Sequence, residues 1–107
     1  MPDDDYATWL LDEGDRIVEQ KAIEGYSSLT TRGRLIYCLW AADYGMRNAG
    51  DLTTAADLHP TFLADGQSAA HELGLPQAMA AFSLTPEELE RQYFDLFDNV
   101  VAEIKTV

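Results

Sequence analysis

Basic residues, cysteines and long apolar runs are all scarce in this chain of 107 residues. Lys and Arg together number 7 against 19 Asp and Glu, which gives a formal net charge of −12 at pH 7. A charge of this sign and size is repelled by nucleic-acid phosphates and by anionic membrane surfaces, so we expect no direct binding to either. The single cysteine, Cys38, excludes an internal disulfide and is typical of a small buried apolar residue.

We expect neither a targeting segment nor a membrane-spanning segment. The longest apolar run, residues 35–42, has eight residues, whereas a membrane-spanning helix needs about 20. Met1 and Pro2 are followed by Asp3, Asp4 and Asp5, where a secretory signal peptide would carry positive charge. These features predict a cytoplasmic protein.

What the sequence does contain indicates a compact helical domain. Hydrophobic residues make up 47% of the chain, which is too many for a disordered acidic segment. Leu and Ala supply 27 residues against 8 for Val and Ile, and this bias favours helix over sheet. No stretch alternates with period two, and no linker rich in Gly, Pro or Ser divides the chain. We therefore predict an all-α bundle of about five helices, forming a single domain over residues 1–107.

The apolar spacing and the capping residues place the helices. The predicted segments, one of them a short piece, are 3–24, 30–48, 54–58, 60–74, 76–82 and 86–106. Gly14 interrupts the first apolar stripe, so we expect it to split or bend that helix. The last segment begins with Thr85, Pro86 and Glu88, a capping-box pattern, and we expect it to pack on the second. The predicted core residues are Leu35, Leu39, Trp40, Leu89, Tyr93, Leu96, Phe97 and Val100.

The charge is concentrated toward both ends of the chain. Residues 1–26 carry −6, residues 27–50 carry +2 and residues 51–107 carry −8. On the last helix, Arg91 is four residues from both Glu87 and Asp95, and such pairs are weakly stabilising. One arginine leaves that face negative, and the first helix could extend its field. The candidate partner-binding residues are Asp12, Asp15, Glu87, Glu88, Glu90, Asp95 and Asp98.

This acidic surface predicts a basic protein partner. Carboxylates on one helix face recur about every 5–6 Å, which is close to the step of about 7 Å between phosphates of one DNA strand. The favoured hypothesis is therefore a domain that mimics DNA and occupies the DNA site of a nucleic-acid-binding protein, with Phe94 as an apolar anchor. The alternative is that the carboxylates only keep the protein soluble.

Catalytic and metal-binding motifs are lacking. The two histidines, His59 and His71, lie near acidic residues such as Asp65 and Glu72, but their spacing fits neither a zinc finger nor HExxH. The chain has no glycine-rich phosphate loop and no nucleophile beside an evident base. The sequence predicts a non-enzymatic protein that uses no metal and no cofactor.

One group in the second helix leaves another function open. Tyr37, Asp43, Arg47 and Asn48 lie on or near one helix, and Asp43 and Arg47 are spaced for an i,i+4 ion pair. The favoured interpretation is an internal salt bridge at a helix end. The alternatives are a small-molecule or catalytic site in a helical domain, and a dimer interface in a purely structural protein.

Three segments resemble a known family. LTTRGRLIYCLWAADYGMRNAGDL at residues 29–52 is similar to the opening of the bacterial DNA-mimic protein family, whose pattern runs to an Asn-Gly-Gly-Phe turn. SAAHELGLPQAMAAF at 68–82 and FDLFDNV at 94–100 resemble its later helices, so the likeness covers about residues 29–101. The turn departs from the family pattern, since Asn48-Ala49-Gly50 is followed by Asp51-Leu52. The resemblance implies an all-helical acidic protein for which mimicry of DNA is one proposed role.

Overall fold

A computed structural model describes residues 6–107 of the chain. Within this range the protein forms six α-helices and one 3₁₀ turn, with no strand. The helices are α1 (Tyr6–Glu24), α2 (Thr31–Ala49), α3 (Thr53–Leu58), α4 (Phe62–Leu73), α5 (Pro76–Phe82) and α6 (Pro86–Lys105), and the 3₁₀ turn is Tyr26–Ser28. The predicted all-α fold is confirmed. The acidic start predicted at Asp3, Asp4 and Asp5 lies outside the described residues.

Helix α2 is the central helix of the bundle, as predicted. It begins where the Thr30 hydroxyl accepts a hydrogen bond from the Gly33 N–H at 3.0 Å. It ends at Gly50, whose φ of 77° is a left-handed conformation that glycine adopts without a steric penalty. Most of its residues are buried, and it packs most extensively against α4.

Helix α6 is the most clearly amphipathic helix and begins as the sequence predicts. The Thr85 side chain accepts from the N–H of Glu88, and the Glu88 carboxylate accepts from the N–H of Thr85. The two bonds satisfy backbone donors that a helix start otherwise leaves unpaired. Helix α6 packs on α2 less extensively than predicted, and its main neighbour is α5. Smaller contacts with α1 and α2 complete its buried face.

The predicted split of the first helix at Gly14 and the predicted start of a helix at Pro60 are wrong. Helix α1 runs through Gly14 without a break, and Gly14 is buried against the indole of Trp40. A side chain there would overlap the Trp40 ring, so the glycine permits a close contact between α1 and α2. Helix α4 begins at Phe62 instead of Pro60, because the preceding residues form a turn in which the Phe62 N–H donates to the His59 carbonyl at 3.0 Å.

Most of the predicted core is buried. Trp40 and Leu96 are exceptions, since both are only partly buried and pack against the edge of the core. The predicted core residues that are buried are Leu35, Leu39, Leu89, Tyr93, Phe97 and Val100. The outward edge of Trp40 helps to form the surface described next.

Candidate protein-interaction surface

The outward face of α6 carries three of the predicted partner-binding carboxylates without an internal partner. Glu87, Asp95 and Asp98 are exposed. Among residues 6–107, none of them accepts a hydrogen bond or pairs with a cation, and Arg91 forms neither predicted i,i+4 ion pair. Exposed pairs of long side chains gain little because ordering them costs conformational entropy. The face therefore presents unpaired negative charge to solvent.

Two other predicted residues on α6 have roles inside the fold. Glu88 closes the capping box with Thr85. Glu90 is partly buried, and its Oε2 accepts the N–H of Leu52, at the start of α3, at 2.9 Å. A carboxylate that accepts a backbone N–H at a helix start is favoured by the helix dipole. Glu90 thus fixes α3 to α6 and has less freedom to meet a partner.

The carboxylates predicted on α1 share a surface with exposed apolar side chains. Asp12 and Asp15 are exposed, and α1 touches α6 as the prediction required. Leu11, immediately before Asp12, is 51% exposed and lines a shallow cleft of about 60 Å³ with Trp40 and Tyr44. Adjacent leucines on a helix point in different directions, so Leu10 is buried and Leu11 faces solvent.

The exposed apolar surface continues from this cleft to α6. We call it the aromatic strip, and it consists of the aromatic residues Trp40, Tyr44 and Phe94 with the aliphatic Leu11 beside them. The Trp40 and Tyr44 ring centroids are 5.7 Å apart, and Tyr44 is 47% exposed. The guanidinium of Arg47, which also lines the cleft, lies 5.2 Å from the ring centroid of Phe94. Phe94 itself is 54% exposed, as predicted for an anchor. The sequence pattern did not indicate Leu11 or Tyr44 as members of this surface.

A buried carboxylate supports the strip from below. Asp43 is 3% exposed and is the buried charged residue of the described core. Its Oδ1 accepts from the Tyr93 hydroxyl at 2.7 Å, and Arg47 Nε donates to both carboxylate oxygens at 2.8 and 3.0 Å. Burial, followed by the charge of Asp43, raises the pKa of Tyr93 well above its usual value. Arg47 is thus held in place by its ion pair with Asp43, while its side chain stays 41% exposed at the cleft.

The alternative ligand group is only partly brought together. Asp43, Arg47 and Asn48 line the shallow cleft, but Tyr37 does not. Tyr37 is buried and forms an edge contact with the ring of His59, with centroids 5.5 Å apart. Asn48 donates to the Tyr44 carbonyl at 2.7 Å. The predicted Asp43–Arg47 salt bridge is present, and the polar atoms of the group are used largely within the fold.

The histidines and acidic residues do not assemble into a metal site within residues 6–107. His59 Nε2 lies 2.6 Å from Asp65 Oδ2, and the Thr61 hydroxyl donates to the same oxygen at 2.7 Å. His71 lines a different, open cleft on α4. Cys38 is fully buried, and burial, followed by the charge of Asp65, raises the pKa of its thiol to about 12. A thiol of this kind is a poor nucleophile.

Comparisons of the chain with models of known protein families, with curated proteins and with solved structures found no match. The resemblance to DNA-mimic proteins stays a prediction. None of the described helices combines the length and the apolar character that crossing a membrane requires.

Proposed function

We propose that this chain is a non-enzymatic interaction domain that binds a basic protein through the aromatic strip and the carboxylates beside it. The observation that carries the proposal is the pairing of exposed apolar side chains with free carboxylates on the same two helices. Asp12 and Asp15 follow Leu11 by one and four residues, and Asp95 and Asp98 follow Phe94 by the same steps. Residues four apart lie on one helix face, so each apolar anchor has a carboxylate one turn away.

The composition of this surface favours a partner with both charge and apolar side chains. Trp and Tyr are enriched among the few residues that supply most of the binding energy at protein interfaces, while surrounding charges mainly set the association rate and the specificity. Lys and Arg of the partner would face the carboxylates, and an apolar side chain would fill the shallow cleft beside Trp40. Basic surfaces of this kind occur on nucleic-acid-binding proteins. We therefore propose a nucleic-acid-binding protein as the partner, with the domain covering its DNA site.

A retention experiment with matched variants tests this proposal. The full chain is immobilised and exposed to a native cell extract at low salt, as wild type, as Phe94→Ala and as the double variant Asp95→Asn with Asp98→Asn. The control, Glu24→Gln with Asp57→Asn, removes the same charge from exposed positions on α1 and α3. We expect a basic protein to be retained by wild type and control and lost from both surface variants. It should also be released by salt, because screening shortens the reach of the field to about 8 Å at 0.15 M.

Duplex DNA then tests the DNA-mimic part of the proposal. If the partner uses its DNA site, added duplex DNA should displace it from the immobilised domain, whereas retention in excess DNA would contradict mimicry. Equal retention by wild type and all variants would contradict the interaction surface and favour solubility as the role of the charge. Sedimentation tests the predicted homodimer alternative, since a dimer that dissociates on Phe94→Ala would assign the strip to self-association.

A further inference from the structure

A polar cleft of about 120 Å³ lies between the 3₁₀ turn, α2 and α4. It plays no part in the proposed interaction. Its polar lining side chains are Tyr26, Thr31, Arg34, Asp65, Ser68 and Glu72. One water needs on the order of 10–15 Å³ of such space, so the cleft has room for several waters. The cleft can therefore also hold a small amino acid, whose non-hydrogen atoms are comparable in number to those waters.

Arg34 is the cation of the cleft, and it lacks a carboxylate partner. Its guanidinium lies over the ring of Tyr26, 5.5 Å from the centroid. Nη2 reaches the Ser27 carbonyl only at 3.4 Å, and Nε is buried without a hydrogen-bond partner. No carboxylate among residues 6–107 lies within 4.0 Å of it. Stacking on an aromatic ring uses the face of the guanidinium and leaves its in-plane donors available for a planar carboxylate.

The acidic side of the same cleft is formed by α4. Burial alone would raise the pKa of Asp65, but hydrogen bonds from Thr61, His59 and Tyr26 and the charge of His59 lower it below its usual value. Asp65 is therefore ionised at neutral pH. Glu72 is exposed and accepts one long hydrogen bond, from the Thr31 hydroxyl at 3.3 Å. Both carboxylates can attract an ammonium group, and together they oppose the entry of a simple anion.

We propose that this cleft binds a small α-amino acid in its zwitterionic form. The ligand carboxylate faces the Arg34 guanidinium, and its ammonium group faces Asp65 and Glu72. The hydroxyls of Tyr26, Thr31 and Ser68 are the other polar groups of the lining. A ligand with both charges matches the lining better than an anion or a cation alone, and the small volume restricts the side chain.

Matched small molecules test the ligand class on the full chain. Glycine, alanine and serine are titrated and followed by NMR chemical shifts, with acetate and methylamine as analogues that each lack one charged group. We expect saturable binding of at least one amino acid, with both analogues about tenfold or more weaker, as for the loss of a charge-assisted hydrogen bond. Absence of saturable binding by all three amino acids, or equal binding of either analogue, would overturn the proposal.

Variants of the lining then locate the site. We expect Arg34→Gln and Glu72→Gln each to weaken amino-acid binding about tenfold, while Arg16→Gln and Glu24→Gln, exposed on α1, leave it unchanged. Circular dichroism checks the fold of Arg34→Gln, and Glu72 is exposed, so its variant keeps the test valid if Arg34→Gln unfolds. Unchanged affinity in Glu72→Gln, or equal loss in the controls, would overturn the assignment. Neither result bears on the aromatic strip.

Discussion

At the scale of single residues, the buried Asp43 and Tyr93 and the more exposed Arg47 form a charged unit that joins α2 to α6. Asp43 accepts hydrogen bonds from both Tyr93 and Arg47, and the Arg47 guanidinium also lies 4.9 Å from the ring centroid of Phe97. A buried carboxylate is costly unless it is paired and hydrogen-bonded, and here it has both kinds of partner. The unit therefore stabilises the packing below the aromatic strip as long as all of its members are present.

Removing one hydroxyl from this unit tests its strength. We expect Tyr93→Phe to lower the free energy of unfolding by about 1.5–3 kcal/mol, because the lost bond is made to an ionised group and Asp43 stays buried. Urea unfolding followed by circular dichroism measures the change. Tyr44→Phe is the matched control, since its ring is half exposed. Equal effects of the two substitutions would contradict a structural role for the Tyr93–Asp43 bond.

Cys38 gives a prediction about reactivity and alkaline pH. Because burial raises the pKa of its thiol to about 12, we expect almost no reaction of the native protein with a thiol-reactive disulfide at about pH 8 and full reaction in denaturant. Fast labelling of the native protein would show that the thiol is accessible.

The same shift sets the sign of a pH effect on stability. The unfolded thiol ionises near its ordinary pKa of 9.0 while the folded thiol stays protonated to about 12. The native state then binds more protons, so stability falls as pH rises through this range. The raised pKa of Tyr26, also to about 12 through burial, acts in the same direction. Urea midpoints from about pH 8 to 11 measure the decline, and a constant midpoint would contradict it.

At the scale of helices, glycines inside helices mark where elements approach closely. Gly66 of α4 faces the ring of Phe82, which would lie 2.5 Å from an added Cβ. Gly45 of α2 faces the loop before α3, where an added Cβ would lie 2.8 Å from the Asp51 carbonyl oxygen. A ring can rotate away from such a contact more easily than a backbone carbonyl can move. Gly45 is therefore the more constrained of the two positions.

Substitution at Gly45 separates packing from helix propensity. Propensity alone predicts that Gly45→Ala stabilises α2 by about 1 kcal/mol, but overlap with the Asp51 carbonyl should give a net loss of about 1–3 kcal/mol. Ala22→Gly, at an exposed position on α1, is the control and should cost about 1 kcal/mol through propensity. Chemical denaturation measures both variants, and a more stable Gly45→Ala protein would contradict the close approach.

At the scale of the whole molecule, repulsion between like charges opposes folding. The net charge is −12, and the described ion pairs of Lys and Arg join only Arg16 and Arg32 to Glu13, and Arg47 to Asp43. Most carboxylates among residues 6–107 therefore form no ion pair with Lys or Arg that would offset their mutual repulsion. A compact state with this imbalance is destabilised by its own field.

Salt should consequently stabilise this protein. Raising NaCl from about 0.01 M to about 0.15 M shortens the Debye length from about 30 Å to about 8 Å, and we expect Tm to rise as the repulsion is screened. The double variant Glu19→Lys with Asp57→Lys has a smaller net charge, so its Tm should rise less over the same range. A Tm that falls with added NaCl in the wild type would contradict a dominant role for repulsion.

The sequence by itself determined the helical class, the central position of α2, and the capping box that begins α6. These depend on local properties, namely helix propensity, apolar spacing and the side chains that satisfy the first N–H groups of a helix. It also predicted that Phe94 is exposed and that Asp43 and Arg47 form an ion pair, because both features follow from positions within a single helix.

Only the tertiary structure decided which of those helices meet and which carboxylates stay free. From the sequence, Gly14 is expected to interrupt its helix, but in the structure it permits close packing against Trp40. Glu90 is expected to be a surface charge, but its carboxylate accepts a hydrogen bond from the Leu52 N–H. Arg34 and Glu72 are 38 positions apart, yet they line one cleft because α4 packs along α2. The physical reason is that such contacts depend on the shapes of two packed surfaces, whereas periodicity in the sequence describes one element at a time.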